Sequence, residues 1–273
     1  MPRLGVLGWP VAHSRSPAIH NAALAALGMD GWRYQRLPVP PALFEETARS
    51  LGSVGFAGAN VTIPHKQAAL ALADRAGATA RAIGAANTLT FAADGTIGAE
   101  NTDAPGLIAA LELSPRGMRA QVLGAGGSAR AAAWALQQAG ASEVYVWNRT
   151  SERAEALAAD LGVRAVSEPV EADLLINCTS VGLNVERSAT EDETLNQVGL
   201  TFDQVGEYSY VVDMVYRSGG TPLLAAATAH GSRTLDGLEI LVAQGALSFE
   251  LWTGRQAPLE VMRDAAREQD RIR

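Results

Sequence analysis

A chain of 273 residues, 48% hydrophobic and 19% charged, is long enough for two domains and has the make-up of a folded protein, not of a disordered or fibrous one. Its 29 acids against 22 bases leave a net charge of -7, which argues against the basic face that a nucleic acid or an anionic membrane would select. One cysteine, Cys178, excludes an intramolecular disulfide, no apolar run approaches the ~18 residues of a membrane span, and His13, His20, His65 and His230 show no metal-ligand spacing.

The opening Met1-Pro2-Arg3-Leu4-Gly5 runs straight into a strand-like segment with no leader pattern, so a reducing, cytoplasmic setting is expected. Strand-like and helix-like stretches then alternate from end to end, the pattern of an α/β protein. Residues 4–8 read as a short apolar strand. Ser16-Pro17 opens a helix, with Ser16 as N-cap and proline at the first helical position; Gly28 closes it after the apolar face Ile19, Ala22, Ala23, Ala26 and Leu27. Strands are predicted at 34–37, 59–63 and 88–91, with helices at 42–50 and 66–73. A helix at 104–111 leads to Ser114-Pro115-Arg116-Gly117, a turn-rich break that marks a domain boundary.

A second series follows: strand 120–123, helix 128–139, strand 143–147, helix 151–161, and strands 174–177 and 211–214. Thr221-Pro222 caps a further helix ending near His230-Gly231. The polar, acidic stretch 184–208 reads as mostly loop with room for a short helix. Beyond Gly237 two helices are predicted, at 239–252 and 258–271. No internal repeat is visible, and the alanine richness needs no explanation beyond helix propensity.

Three segments carry chemistry. The first contains Lys66, the chain's one lysine; every other basic residue is arginine. Two readings stand, a lysine left by drift or a position where guanidinium does not serve. An ammonium is compact and can lose its proton, whereas a guanidinium effectively cannot. The setting, Gly58-Ala59-Asn60-Val61-Thr62-Ile63-Pro64-His65-Lys66, ends an apolar strand in a polar turn, which favours the functional reading.

The second segment is Val122-Leu123-Gly124-Ala125-Gly126-Gly127-Ser128-Ala129-Arg130, after a strand and opening a helix. That is the context of a dinucleotide fingerprint: Gly124 for the tight turn, Gly126 for backbone approach to a pyrophosphate, Ala129 as the small residue where helix meets strand. The helix N-terminus adds free N–H groups for the phosphates. The next strand ends in Asn148-Arg149-Thr150-Ser151, with no acid at its tip to hold a ribose 2′-OH. Arg149 stands there instead, and its planar fork suits a 2′-phosphate, so NADP is expected over NAD.

The third segment is Gly8-Trp9-Pro10-Val11-Ala12-His13-Ser14-Arg15-Ser16-Pro17. Two hydroxyls, Ser14 and Ser16, converge on a helix N-terminus, a seat for a carboxylate. Capping alone explains Ser16 but not Ser14. Asn87 and Asp103 lie in polar turns beside strands, placed either to bond vicinal hydroxyls or simply to form the turns.

Taken in order, these segments resemble the shikimate dehydrogenase family over essentially the whole chain. The resemblance rests on H-S-x-S-P at 13–17, N-V-T-x-P-x-K at 60–66, G-A-x-N-T at 84–88, N-T-D at 101–103, G-A-G-G-S-A-R at 124–130, N-R-T at 148–150 and N-C-T-S-x-G at 177–182, with Asp213-Met214-Val215-Tyr216 and Leu241-Val242-Ala243-Gln244. It implies an N-terminal α/β substrate domain with a mixed, mainly parallel sheet (1–113 and 237–273) and an inserted Rossmann-type NADP-binding domain (114–236). It further implies reversible NADPH-dependent reduction of 3-dehydroshikimate to shikimate, in aromatic amino acid biosynthesis, by a monomer or homodimer.

Carried over residue by residue, Lys66 and Asp103 would be the catalytic pair. Ser14 and Ser16 would hold the substrate carboxylate, with Tyr216 near it, and Asn60, Thr62, Asn87 and Gln244 would bind ring hydroxyls. Gly124, Ala125, Gly126, Gly127, Ser128 and Ala129 would hold the pyrophosphate and Asn148, Arg149 and Thr150 the adenosine phosphate. Thr179, Met214, Val215 and Gly237 would complete the cofactor site. The chemistry would take place in a crevice between the domains. Two departures are minor: Ile240 stands where many members carry methionine, and Ser218 where proline is common. The alternatives are a paralogue acting on quinate or preferring NAD, a folate-type dehydrogenase/cyclohydrolase, which would not need the Ser14/Ser16 seat, and a non-catalytic NADP sensor.

Overall fold

Residues 1–183 and 190–268 are described by the structure, a computed structural model. They divide into two compact units, Met1–Gly106 with Leu241–Arg273, and Leu107–Ile240. Among the described residues no helix is long and apolar enough to cross a membrane.

The first unit contains β1 (Arg3–Gly8), α1 (Ser16–Ala26), β2 (Arg33–Pro38), α2 (Phe44–Leu51), β3 (Phe56–Val61), α3 (Lys66–Leu72), β4 (Arg75–Ala76), α4 (Ala78–Ile83), β5 (Thr88–Phe91) and β6 (Ile97–Glu100). The strands form one sheet in the order β2-β1-β3-β5-β6-β4. β1 runs parallel to β2 and β3, whereas β5 is antiparallel to β3 and β6, so the sheet is mixed. Side chains of β1 alternate between two cores: Leu4 and Val6 pack with Val11 and Tyr34, and Leu7 packs on the other face with Val39, Phe44 and Val61. That alternation is the period of two expected of a strand covered on both faces.

At α1 the structure corrects one expectation. Arg15 is the N-cap and Ser16 the first helical residue, with no side-chain cap. Pro17 is still tolerated, because backbone N–H groups in the first turn need no intrahelical acceptor. β3 also begins and ends earlier than predicted. After Val61 the chain turns, the Thr62 N–H bonding the Leu7 carbonyl and the His65 N–H the Thr62 carbonyl, both at 2.9 Å.

Within α5 (Asp103–Ala110) the chain enters the second unit, which holds β7 (Arg119–Leu123), α6 (Gly127–Gln138), β8 (Glu143–Trp147), α7 (Ser151–Leu161), β9 (Arg164–Ala165) and β10 (Leu174–Asn177). Then come α8 (Glu191–Asn196), α9 (Phe202–Val205), β11 (Tyr210–Asp213), α10 (Pro222–Ala229) and β12 (Arg233–Asp236). All six strands are parallel, in the order β12-β11-β10-β7-β8-β9. The order reverses between β7 and β10, and a doubly wound sheet places its ligand outside the strand ends at that switch point.

Helices cover both faces of this sheet. Val122, Val146 and Ile176 pack with Ala129, Ala132 and Leu136 of α6 on one side; Leu123, Leu175 and Val211 pack with Leu195, Leu223 and Ala226 on the other. α11 (Gly237–Thr253) carries the chain back to the first unit, and α12 (Leu259–Glu268) follows. The stretch predicted as mostly loop contains α8 and α9, each opened by a reciprocal capping box, at Thr190/Glu193 and Thr201/Gln204. Its residues 184–189, and 269–271 of the last predicted helix, lie outside the described residues.

Candidate active site

In the first unit the sheet brings together residues far apart in sequence. β1 and β3 are parallel, so the turns that follow them leave the same edge; the Trp9 N–H bonds the Ile63 carbonyl at 2.9 Å. β6 is antiparallel to β5 and β5 to β3, so β6 also ends at that edge, and β5 begins there. Lys66 opens α3, Asp103 opens α5, and Asn87 immediately precedes β5.

The consequence is a buried ion pair. Lys66 Nζ lies 2.7 Å from Asp103 Oδ2, with both residues under one-tenth exposed. Breaking such a pair leaves an uncompensated charge in a poorly solvated place. The other carboxylate oxygen, Asp103 Oδ1, accepts from Asn87 Nδ2 at 2.9 Å. Asn87 Oδ1 in turn accepts the Thr102 backbone N–H at 2.7 Å. A backbone donor on Oδ1 fixes which end of the amide faces Asp103, so the carboxylate always meets a donor.

Behind this pair lies a continuous polar network. Asn60 Oδ1 accepts from the Tyr34 hydroxyl at 2.8 Å, and its Nδ2 donates to Ser248 Oγ at 2.9 Å and reaches the Asn87 carbonyl at 3.2 Å. Thr88, Thr102 and Ser248 hydroxyls bond one another at 2.9 to 3.2 Å. Gln244 Oε1 accepts from Asn87 at 3.1 Å while its Nε2 donates to the Leu241 carbonyl. Gln244 and Ser248 are four residues apart, so they share a face of α11. Both ends of the Asn60 amide are engaged within the protein, which makes Asn60 first a support for Asn87.

Tyr34 is itself held by a stack on His20, with ring centroids 4.3 Å apart and planes 1° from parallel. His20 is fully buried, and neither ring nitrogen has a hydrogen-bond partner. Burial pushes its pKa down to about 3, with the nearby Asn60 amide opposing the fall.

Ser14 and Ser16 are buried at the start of α1, at the end of the turn that follows β1. The Ser16 N–H reaches Ser14 Oγ at 3.3 Å, and the Ser14 N–H bonds the Val11 carbonyl at 3.1 Å. Thr62 packs over Gly8, where a β-carbon would collide with the Thr62 methyl. Ser14, Ser16, Thr62, Lys66, Asp103, Asn60, Asn87 and Gln244 therefore all belong to the first unit; Tyr216 belongs to the second.

In the second unit Gly124 adopts φ +106°, a conformation that favours glycine, and packs against Cys178 and Thr179 after β10. Gly126 is the N-cap of α6, and the space where a β-carbon would stand is open, so a ligand can reach the backbone. Ala125 lies in the same turn, Gly127 and Ser128 open α6, and Ala129 is buried in the core, as a small third position requires. At the tip of β8 Asn148 Nδ2 bonds the Thr150 carbonyl at 2.9 Å. Arg149 is exposed, and Thr150 occupies the N-cap of α7 without using its hydroxyl as a cap. An open glycine turn, a twelve-residue helix beginning on it, and an arginine in place of an acid on the neighbouring strand fit a phosphorylated dinucleotide.

Sequence reasoning quoted Asp213 in a motif but gave it no role. It is 1% exposed and accepts from Thr221 Oγ1 at 2.7 Å, Asn177 Nδ2 at 2.9 Å and the Val215 N–H at 3.0 Å. Asn177 Oδ1 in turn holds the Thr179 hydroxyl at 2.7 Å. One carboxylate thus shapes the turns carrying Thr179, Met214 and Val215. Burial raises its pKa to about 6, opposed by the Thr221, Val215 and Asn177 bonds. A β-carbon at Gly237 would strike the Met214 carbonyl, so α11 starts hard against the same turn. Ile240 is buried in the second unit's core. Among the described residues no cluster of side chains could hold a metal ion.

Comparison with known proteins gives a consistent answer. Family models described as the shikimate dehydrogenase substrate binding domain, shikimate / quinate 5-dehydrogenase and the shikimate 5'-dehydrogenase C-terminal domain match residues 6–89, 109–196 and 237–267. The NADP(+) shikimate dehydrogenase of Symbiobacterium thermophilum is 44% identical, over 96% of this chain and 92% of its own. A shikimate dehydrogenase of Thermus thermophilus, solved in complex with NADP(H) and shikimate, is 42% identical with a TM-score of 0.86, covering 98% of this chain and 99% of its own. A 5-ketofructose reductase of a Gluconobacter species shares the fold at 32% identity and TM-score 0.79, covering 98% of both chains.

Proposed function

The chain belongs to the shikimate dehydrogenase family, and from that membership we propose that it interconverts 3-dehydroshikimate and shikimate with NADP(H), with Lys66 and Asp103 as its catalytic pair. It is an NADP-dependent oxidoreductase of the shikimate pathway, acting on a CH–OH group. The observation that carries the assignment of the pair is the buried 2.7 Å contact between the chain's one lysine and an aspartate held by Asn87.

Residues 1–113 and 237–273 act as the substrate domain in this reading, and 114–236 as the NADP domain. Ser14 and Ser16 seat the substrate carboxylate at the start of α1. Thr62, Asn60, Asn87 and Gln244 shape the space for the ring hydroxyls. The open turn at Gly124–Ala129 receives the pyrophosphate, Arg149 and Thr150 the 2′-phosphate, with Asn148 shaping their turn. Thr179, Met214, Val215 and Gly237 border the rest of the cofactor. When bound, NADPH supplies the hydride for the substrate carbon.

Reduction of the ketone leaves negative charge on its oxygen, which needs one proton. The Lys66–Asp103 pair provides an N–H donor for that oxygen, and in the reverse direction it accepts the hydroxyl proton. Asn87 keeps Asp103 facing Lys66, so the donor waits in position before substrate arrives.

Steady-state rates with shikimate and quinate, each with NADP+ and NAD+, test the proposal. The expected result is a kcat/KM for shikimate with NADP+ at least tenfold above every other pairing. A preference for quinate or for NAD+ would reject it.

A further inference from the structure

Taking Ser14 and Ser16 to be the carboxylate seat, on which this inference rests, we propose that Arg36 supplies the positive charge that makes the seat select an anion. The seat as built is neutral: two hydroxyls and the partial charge of one helix end. It sits in a protein of net charge -7. The other cations nearby are committed elsewhere. Lys66 is neutralised by Asp103, and Arg15, although between the two serines, directs Nη1 to the Ala266 carbonyl of α12 at 2.8 Å.

Arg36 is different. Its register opposite Val6 puts it on the strand beside β1, and its Nε and Nη2 both donate to the Ser14 carbonyl, at 3.1 and 2.6 Å. The guanidinium is therefore pinned to the seat's own turn, yet it has no acidic partner among the described residues. Its charge is felt there already: the His13 pKa is held below the ordinary histidine value, first by burial and then by Arg36. Donation to a neutral carbonyl leaves a guanidinium its full charge, and for Arg36, unlike Arg15 with its carbonyl on α12, that carbonyl belongs to the seat's own turn. A carboxylate bonded to the Ser14 hydroxyl lies on the order of 8 Å from this guanidinium, where a partly screened unit charge changes binding about fivefold.

The test compares shikimate with its uncharged methyl ester in the wild type, Arg36→Gln, Arg36→Lys and Ser14→Ala proteins. Arg36→Gln is expected to raise KM for shikimate about fivefold, leave kcat and the KM for NADP+ in place, and lower the acid-to-ester ratio of kcat/KM by the same factor. Arg36→Lys, which keeps the charge, is expected to retain most of that ratio. An unchanged ratio in Arg36→Gln would overturn the proposal, because a merely distorted turn penalises acid and ester alike. So would an Arg36→Lys protein indistinguishable from Arg36→Gln. If Ser14→Ala leaves the KM for shikimate untouched, the seat itself is wrongly placed, and the failure lies in the underlying reading and not in the charge.

Discussion

Lys66 needed no structure to stand out, because its rarity and its place at a strand end were visible in the residues alone. His20 shows the opposite case. Nothing in its sequence marks it, and its importance comes from full burial against Tyr34. Held neutral when folded, with a pKa of about 3, it regains the ordinary value of 6.5 on unfolding. Below pH 6.5 the unfolded chain therefore takes up a proton that the folded chain refuses, and stability falls as the pH drops from 6.5 toward 3. The loss amounts to about 2 kcal/mol at pH 5. His20→Phe keeps an aromatic ring on Tyr34 and removes the proton site, so urea unfolding should show a flatter decline between pH 7 and 5 by about that amount. Asp213, with its carboxyl raised to about 6, titrates in both proteins and drops out of the comparison. Parallel pH curves would refute the role of His20. Tyr34 and Ser248 were equally illegible, since Ser248 meets Asn60 across 188 residues and no local pattern encodes such a pairing.

Elements with strong periodicity and clear ends were legible to the residue; β5, β8, α7 and β10 are as the sequence predicts. The two-residue strands β4 and β9 carry too few side chains to show a period, and β12 buries only Leu235. α8 and α9 are short, but their capping boxes at Thr190/Glu193 and Thr201/Gln204 were readable signals that the acidic composition obscured. Two predictions belong to this scale. At the tip of β8, Arg149→Ala should weaken NADPH binding about tenfold or more and NADH binding less than about twofold, by fluorescence titration. Equal losses for both would reject a 2′-phosphate role. At the end of β11, Asp213→Asn places an amide donor among three donors. It should destabilise by about 1–3 kcal/mol and raise KM for NADP+ several-fold with KM for shikimate little changed. A larger effect on shikimate than on NADP+ would show that the Thr179 and Val215 turns do not depend on it.

At the level of the whole molecule, the sequence marks a turn-rich break at 114–117 and a return at Gly237, whereas the compact units divide at 106–107 and 240–241, inside α5 and α11. The mixed order of the first sheet was not legible strand by strand, because β5 and β6 reverse direction with no sequence mark distinguishing parallel from antiparallel neighbours. The second sheet was more readable, since strand–glycine turn–helix constrains its topology. Fold alone does not choose a substrate: the Gluconobacter 5-ketofructose reductase shares it. The proposed chemistry rests instead on the buried amine–carboxylate contact in the first unit.

Replacing that amine while keeping its charge is therefore the most direct test. Lys66→Arg, compared with wild type by the absorbance of NADPH formed from shikimate and NADP+, should remain folded, bind NADP+ normally and lose at least about 100-fold in kcat, because a guanidinium holds charge but neither yields its proton nor fits beside Asp103. Turnover within about threefold of wild type would contradict the account.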